Sequence, residues 1–185
     1  MYSINIMVSE HDNIMKFNKA VRNACLEILQ GMEPCPEDFH KMISFIRNYA
    51  DKHHHGKEEH ILFKEMQQHL GNIGTNLITH GMLVEHDLGR LYTSELEAAV
   101  NEYSKSKSLD SKLDIVTNAV GYTKLLERHI DKENKLVYTY AEKNLSQDIL
   151  KDVDVRVEEF EKQADANNIS KTYLTILDEL SKKYK

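Results

Sequence analysis

Glycine and proline are scarce, at seven and two in 185 residues. The chain also lacks alternating β-branched runs bounded by turn residues, so strands are not expected and an all-α fold is. No apolar run approaches the ~20 residues that cross a membrane. The opening MYSINIMVSEHDN has neither the basic start nor the apolar stretch of a secretory signal. A soluble, cytoplasmic protein is the expectation. An excess of basic charge is missing too: the formal net charge is −6 and is spread along the chain. No surface is therefore offered to phosphate backbones or anionic lipid, and neither nucleic acid nor membrane is expected as a partner. Cysteine is limited to Cys25, on an apolar helical stripe, and Cys35, in a Pro-Cys-Pro loop. Neither belongs to a CxxC pair, and both read as free thiols in a reducing compartment.

What is present is helical periodicity. Ile4, Met7, Val8, Ile14, Met15, Val21, Cys25, Ile28 and Leu29 recur at three- and four-residue spacing, which predicts a helix from about residue 3 to 30, stopped by Gly31. A second begins after MEPCP, with Pro36 suited to the first helical position and Glu37 and Asp38 to the positive end of the dipole, and runs to about Leu70. GNIGTN reads as a turn, a third helix reaches about Ser104, and SKSKSLDS makes the next break. A fourth helix carries Leu113, Val116, Val120, Leu126, Leu136 and Val137. Four long helices with short breaks predict an antiparallel up-down bundle over residues 1–145. Residues 146–185, with Ser146 as a cap and two shorter helical patterns separated by ADANNIS, are expected to pack on it as a C-terminal extension.

Ten histidines is a high count, and register decides which of them meet. His54 and Glu58 lie four apart, as do His129 and Glu133, which places each pair on one helix face. At ~1.5 Å per residue, the run from His11 to the end of the first helix is ~29 Å and the return to His54 is ~26 Å. The second and third helices return the chain from Glu58 to His86 over ~18 and ~15 Å, and the third and fourth take it from His86 to His129 over ~27 Å each way. His11, His54, Glu58, His86, His129 and Glu133 are thus expected in one layer. His11 is in phase with Ile4, Val8 and Ile14, and His129 with Tyr122, Leu126, Leu136 and Tyr140, so both interrupt apolar stripes. Burying these groups without a cation costs several kcal/mol for each unpaired ion, and metal coordination removes that cost. His55 with Glu59 repeats the four-residue spacing one position around the helix and is an alternative to His54 with Glu58. His40, His53, His60 and His69 have no aligned partner and are expected in solvent, with His80 on the surface. Tyr122, two turns before His129, either lines the metal cavity or packs the core.

The segments EHD at 10–12, HHHGKEEHILF at 53–63, VEHDLGR at 84–90 and HIDKEN at 129–134 resemble the bacterial hemerythrin-like HHE cation-binding family over residues 5 to about 140. The resemblance implies a four-helix bundle with two non-haem iron ions joined by an oxo or hydroxo bridge. His11, His54, His86 and His129 would be terminal ligands, and Glu58 and Glu133 would bridge. The oxygen-carrying members add a histidine and an aspartate where this chain has Met82 and Asn134. The resulting four-His, two-Glu set is closer to the di-iron proteins of iron–sulfur cluster repair and to mycobacterial hemerythrin-like proteins. Mixed imidazole and carboxylate donors suit iron, with manganese or a mixed pair as a second option. Six protein ligands leave positions open for O2, NO, peroxide or water. Two functions follow. One is capture of O2 or NO for sensing, storage or scavenging; the other is an oxidoreductase that reduces O2, peroxide or NO, fed by a separate electron-donor protein, or that acts in iron–sulfur cluster repair. A metal-free helical interaction protein would leave the shared layer a coincidence. Either a monomer or a homodimer is compatible with the sequence.

Overall fold

The computed structural model describes all 185 residues as six helices with no strand. They are α1 (Tyr2–Leu29), α2 (residues 36–69), α3 (71–106), α4 (109–144), α5 (Gln147–Ala166) and α6 (Ile169–Lys183). In α1 the buried residues Ile4, Met7, His11, Ile14, Phe17, Val21 and Ile28 keep the three- and four-residue spacing that one buried stripe demands. Gly31, at φ +101°, ends the turn after α1 in the left-handed region that glycine enters without cost. Pro36 then opens α2, with Glu37 and Asp38 in its first turn. Ser108 and Ser146 cap α4 and α5 by accepting from the backbone N–H groups of Ser111 and Ile149.

Cross-helix pairs fix the topology. Arg47–Glu97, Arg90–Asp51 and Gln67–Thr79 run α2 against α3 in opposite directions, and His129–Glu85 ties α4 to α3. GNIGTN differs from the expectation. It is helical, and the chain reverses within Leu70–Gly71, where φ of +58° at Gly71 lets one residue do the work of a longer turn.

The helices are not α-helical throughout. Ile46–His55, Glu58–Leu62, Ile78–Met82 and Glu133–Val137 are π-helical, and each widened turn adds a residue to the period. The α-periodicity pointed Leu136 inward, yet it is 61% exposed, and Val137 and Tyr138 take the buried positions. The extra residue of the Glu133–Val137 turn rotates everything after it.

The polar layer divides the apolar interior in two. On one side Ile14, Phe17, Phe45, Tyr49, Val100, Ile115 and Leu126 belong to the larger cluster, where the rings of Phe17 and Phe45 stack 4.2 Å apart. On the other, Ile4, Met7, Leu62, Phe63, Met66, Ile78 and Val137 form the smaller one. Helices α5 and α6 cover the side made by α1 and α2. Asp154 accepts from the backbone N–H of Ser3 at 2.9 Å, Val153 and Val157 enter the smaller cluster, and Leu177, Leu180 and Tyr184 enter the larger. The hydroxyl of Tyr184 donates to Asp38 at 2.5 Å at the far end.

Because α6 shares the bundle's core, Leu180→Ala is expected to lower stability by about 2–5 kcal/mol. The loss should appear as a lower denaturant midpoint in one transition of the whole chain. A separate early transition confined to the last two helices would contradict this packing.

Candidate metal centre

Seven side chains meet in the layer between the two apolar clusters. His11 comes from α1, His54, His55 and Glu58 from α2, His86 from α3, and His129 and Glu133 from α4. All are buried, with Glu58 and Glu133 fully so. Two tetrads of donors result, His11, His54, Glu58 and Glu133 on one side and His55, Glu58, His86 and His129 on the other. Within each, the donor atoms lie within 4.8 Å of one another.

The carboxylates face both ways. One oxygen of Glu58 is 3.7 Å from His54 Nε2 and the other 3.6 Å from His86 Nε2. One oxygen of Glu133 is 3.2 Å from His11 Nε2, and the other is 3.2 Å from His129 Nε2 and 3.8 Å from His86 Nε2. Each carboxylate therefore presents one oxygen to each half, the arrangement of a bridge between two cations.

The far nitrogen of every ring is held. Nδ1 of His11 donates to Asn134 at 2.8 Å, of His54 to Glu10 at 2.8 Å, of His86 to Glu59 at 2.6 Å and of His129 to Glu85 at 2.9 Å. His55 Nδ1 reaches Asp51 at a longer 3.3 Å. An Nδ1–H committed outward leaves the Nε2 lone pair facing inward, which is the tautomer a metal requires. Four of the supports are sequence neighbours of members of the layer on another helix. Glu10 precedes His11 and serves His54, Glu85 precedes His86 and serves His129, Glu59 follows Glu58 and serves His86, and Asn134 follows Glu133 and serves His11.

The layer lacks an internal charge balance. Nε2 of His11 and His54 lie 2.8 Å apart, and those of His86 and His129 3.0 Å apart, so inward lone pairs oppose one another. His55 Nε2, Glu58 Oε2 and both oxygens of Glu133 are buried without a hydrogen-bond partner. Leaving such atoms unpaired costs about 1–3 kcal/mol each, more for charged ones. Protons partly stand in. Burial and the adjacent Glu133 push the Glu58 carboxyl well above the usual range. Burial opposes charge on His129, but Glu133 and Glu85 outweigh it and hold the imidazole up at about 9. Burial and then His11 take His54 down to about 4. The residues fit a cation pair: five imidazoles and two carboxylates that each face both halves, with orphaned acceptors aimed at the interior.

The six residues expected from register are all brought together. The structure corrects the environment of two other histidines. His55 joins His54 and Glu58 instead of replacing them, its ring stacked 3.8 Å from that of His86, while Glu59 turns to His86 Nδ1. His53, expected in solvent, is 3% exposed and faces Glu10, Lys57 and Glu161. His40, His60, His69 and His80 are exposed, as expected. Met82 is buried apolar core, so the fifth imidazole comes from α2. Tyr138 was not foreseen: its hydroxyl donates to Glu58 and lies 3.5 Å from His11 Nε2. Tyr122 is buried with its hydroxyl unpaired, and with His55, His86, Gly89 and Thr93 it lines a cavity of about 70 Å³. Only the repeated EHD at 10–12 and 85–87 carried a signal for the supporting carboxylates.

An antiparallel helical bundle with a buried histidine and carboxylate centre defines a helical cation-binding domain. The family model described as the hemerythrin HHE cation binding domain matches residues 2–141, and the chain belongs to that family. No curated protein and no solved structure gives a significant match. Helix α5 and helix α6 lie beyond the matched residues.

Hydrogen bonds from His129 and then Lys132, against burial, hold the Glu85 carboxyl down at about 2. A carboxylate depressed by folding contributes stability above its unfolded pKa and loses it as pH falls through the folded one. In the metal-free protein the stability gap between wild type and Glu85→Gln should be full at about pH 6 and close from about pH 4.5 toward pH 2. Denaturant midpoints measured across that range check the sign; a gap that widens in acid would refute it.

Proposed function

We propose that this chain is a non-haem di-iron protein that binds O2 or NO for sensing, storage or scavenging. The observation that carries the reading is the pair of donor tetrads sharing Glu58, with Glu133 presenting one oxygen to each half. In this reading His11 and His54 would hold one iron and His55, His86 and His129 the other, with Glu58 and Glu133 offering an oxygen to each. Bound there, the pair supplies a redox-active centre with open coordination positions for a small oxidant.

The chain's own groups prepare the pocket for a diatomic. The cavity beside His55 and His86 has room for one or two small molecules. The unpaired Tyr122 hydroxyl is available there as a hydrogen-bond donor to a polar diatomic. Gly89, which lines the same wall, presents no side chain to fill it. At its rim the Arg90 guanidinium spans Asp51 at 2.7 Å and Glu59 at 2.6 Å, pinning the two carboxylates that support His55 and His86. Tyr138, stacked on His11 with its hydroxyl on Glu58, packs against the other half of the layer.

Metal content and the ultraviolet–visible spectrum of protein purified without oxygen test this, recorded before and after O2 and, separately, NO. Two irons per chain and new charge-transfer bands that revert when the gas is removed are expected. Bands that persist, with consumption of an added reductant, would favour an oxidoreductase served by a separate electron donor. Among variants, His55→Ala and Glu133→Ala should retain less iron than wild type, and His60→Ala the same amount. Equal iron in all three would sink the ligand assignment.

A further inference from the structure

Beside the metal layer lies a second buried cluster of charge, and it reaches outside the family's matched residues. Lys57 is fully buried. Its ammonium donates to Glu10 of α1 and to Glu161 of α5, and lies 3.0 Å from Nε2 of His53. The same Glu10 carboxylate accepts from His54 Nδ1 at 2.8 Å with its other oxygen. Glu161, Lys57, Glu10 and His54 thus form one continuous chain of contacts, from the last part of the sequence to a ring whose Nε2 faces the metal layer. Phe160 closes it from outside, with its ring 5.4 Å from the Lys57 ammonium. Glu161, 16% exposed on its side chain, is where the chain of contacts meets solvent.

An ammonium buried in this way needs more than one carboxylate. Glu10 has to serve Lys57 with one oxygen, which also lies 2.9 Å from His53 Nε2, and His54 with the other. If Glu161 did not share Lys57, the uncompensated ammonium would draw on Glu10 with both oxygens and loosen the hold on His54. The arrangement also explains why Glu10, His53 and Glu161, a set with the composition of a cation site, sit so close together. Lys57 occupies the centre of that set, and the ammonium is its cation.

We infer that Glu161 of the C-terminal extension is a positioning residue of the metal centre, acting through Lys57 and Glu10 to hold the His54 imidazole in its ligand orientation. The inference rests on the reading of the histidine and glutamate layer as a metal site. Its substance is that α5 is part of the centre's electrostatics as well as a cover for α1 and α2.

The test is Fe(II) affinity of the full chain, measured without oxygen by competition with a chelator, for wild type, Glu161→Gln, Glu158→Gln, Lys57→Met and the Lys57→Met/Glu161→Gln double variant. Unfolding midpoints run in parallel establish that each chain is folded. Glu161→Gln is expected to lower affinity about tenfold, as loss of an outer support to a ligand histidine does. Glu158→Gln, which removes the same charge from the exposed surface of α5, should leave affinity unchanged. The double variant should bind no more weakly than Lys57→Met alone, because the effect passes through the ammonium. Wild-type affinity in Glu161→Gln, or losses that add in the double variant, would overturn the positioning role while leaving the metal reading intact. Failure of the wild type to take up Fe(II) would overturn both.

Discussion

Five imidazole nitrogens and two carboxylates are turned toward one buried layer, and this structure depends on what balances them. Buried lone pairs and carboxylate oxygens cannot face one another without positive charge between them. In the metal-free protein protons partly take that place, since burial and Glu133 raise the Glu58 carboxyl, and Glu133 and Glu85, against burial, raise the His129 imidazole. A cation would replace them, and uptake must release protons into solvent. The division of the apolar interior into two clusters follows from the same constraint, since the layer spans the bundle between them.

The layer is kept in shape by a reciprocal scheme. A member of the layer on one helix carries, as its immediate sequence neighbour, the group that fixes a histidine on the next. Each support is tied in turn to a cation: Glu10 to Lys57, Glu59 and Asp51 to Arg90, and Glu85 to Lys132. Rings so clamped have little freedom to turn when the charge inside them changes, which is the condition for a preorganised site. His11 is the exception, held by the neutral amide of Asn134. Its ring lies in the half with two imidazoles, against Tyr138.

The C-terminal helices give the bundle a thicker wall on the α1 and α2 side. Their apolar residues merge with both clusters, and their polar residues end at Asp38, Lys41, Glu65 and Lys57. Packing and charge therefore couple the extension to the matched domain at both ends and at the middle, where the histidine and carboxylate layer lies.

Much was decided by the sequence alone. Scarce glycine and proline with three- and four-residue apolar spacing require helices, and equal rises along them put His11, His54, Glu58, His86, His129 and Glu133 at one depth, because an α-helix advances by a fixed amount per residue. What that regularity hides is its own interruption. The π-helical turns at Ile46–His55 and Glu133–Val137 change the angular position of every residue after them. They bring His55 in beside His54, put Tyr138 on Glu58 and turn Leu136 out to solvent. The burial of His53 and the reach of Glu161 were equally out of view, since they depend on α5 docking more than a hundred positions along the chain. Periodicity fixes depth within a helix, but only packed neighbours decide which turn widens and which charge finds its partner.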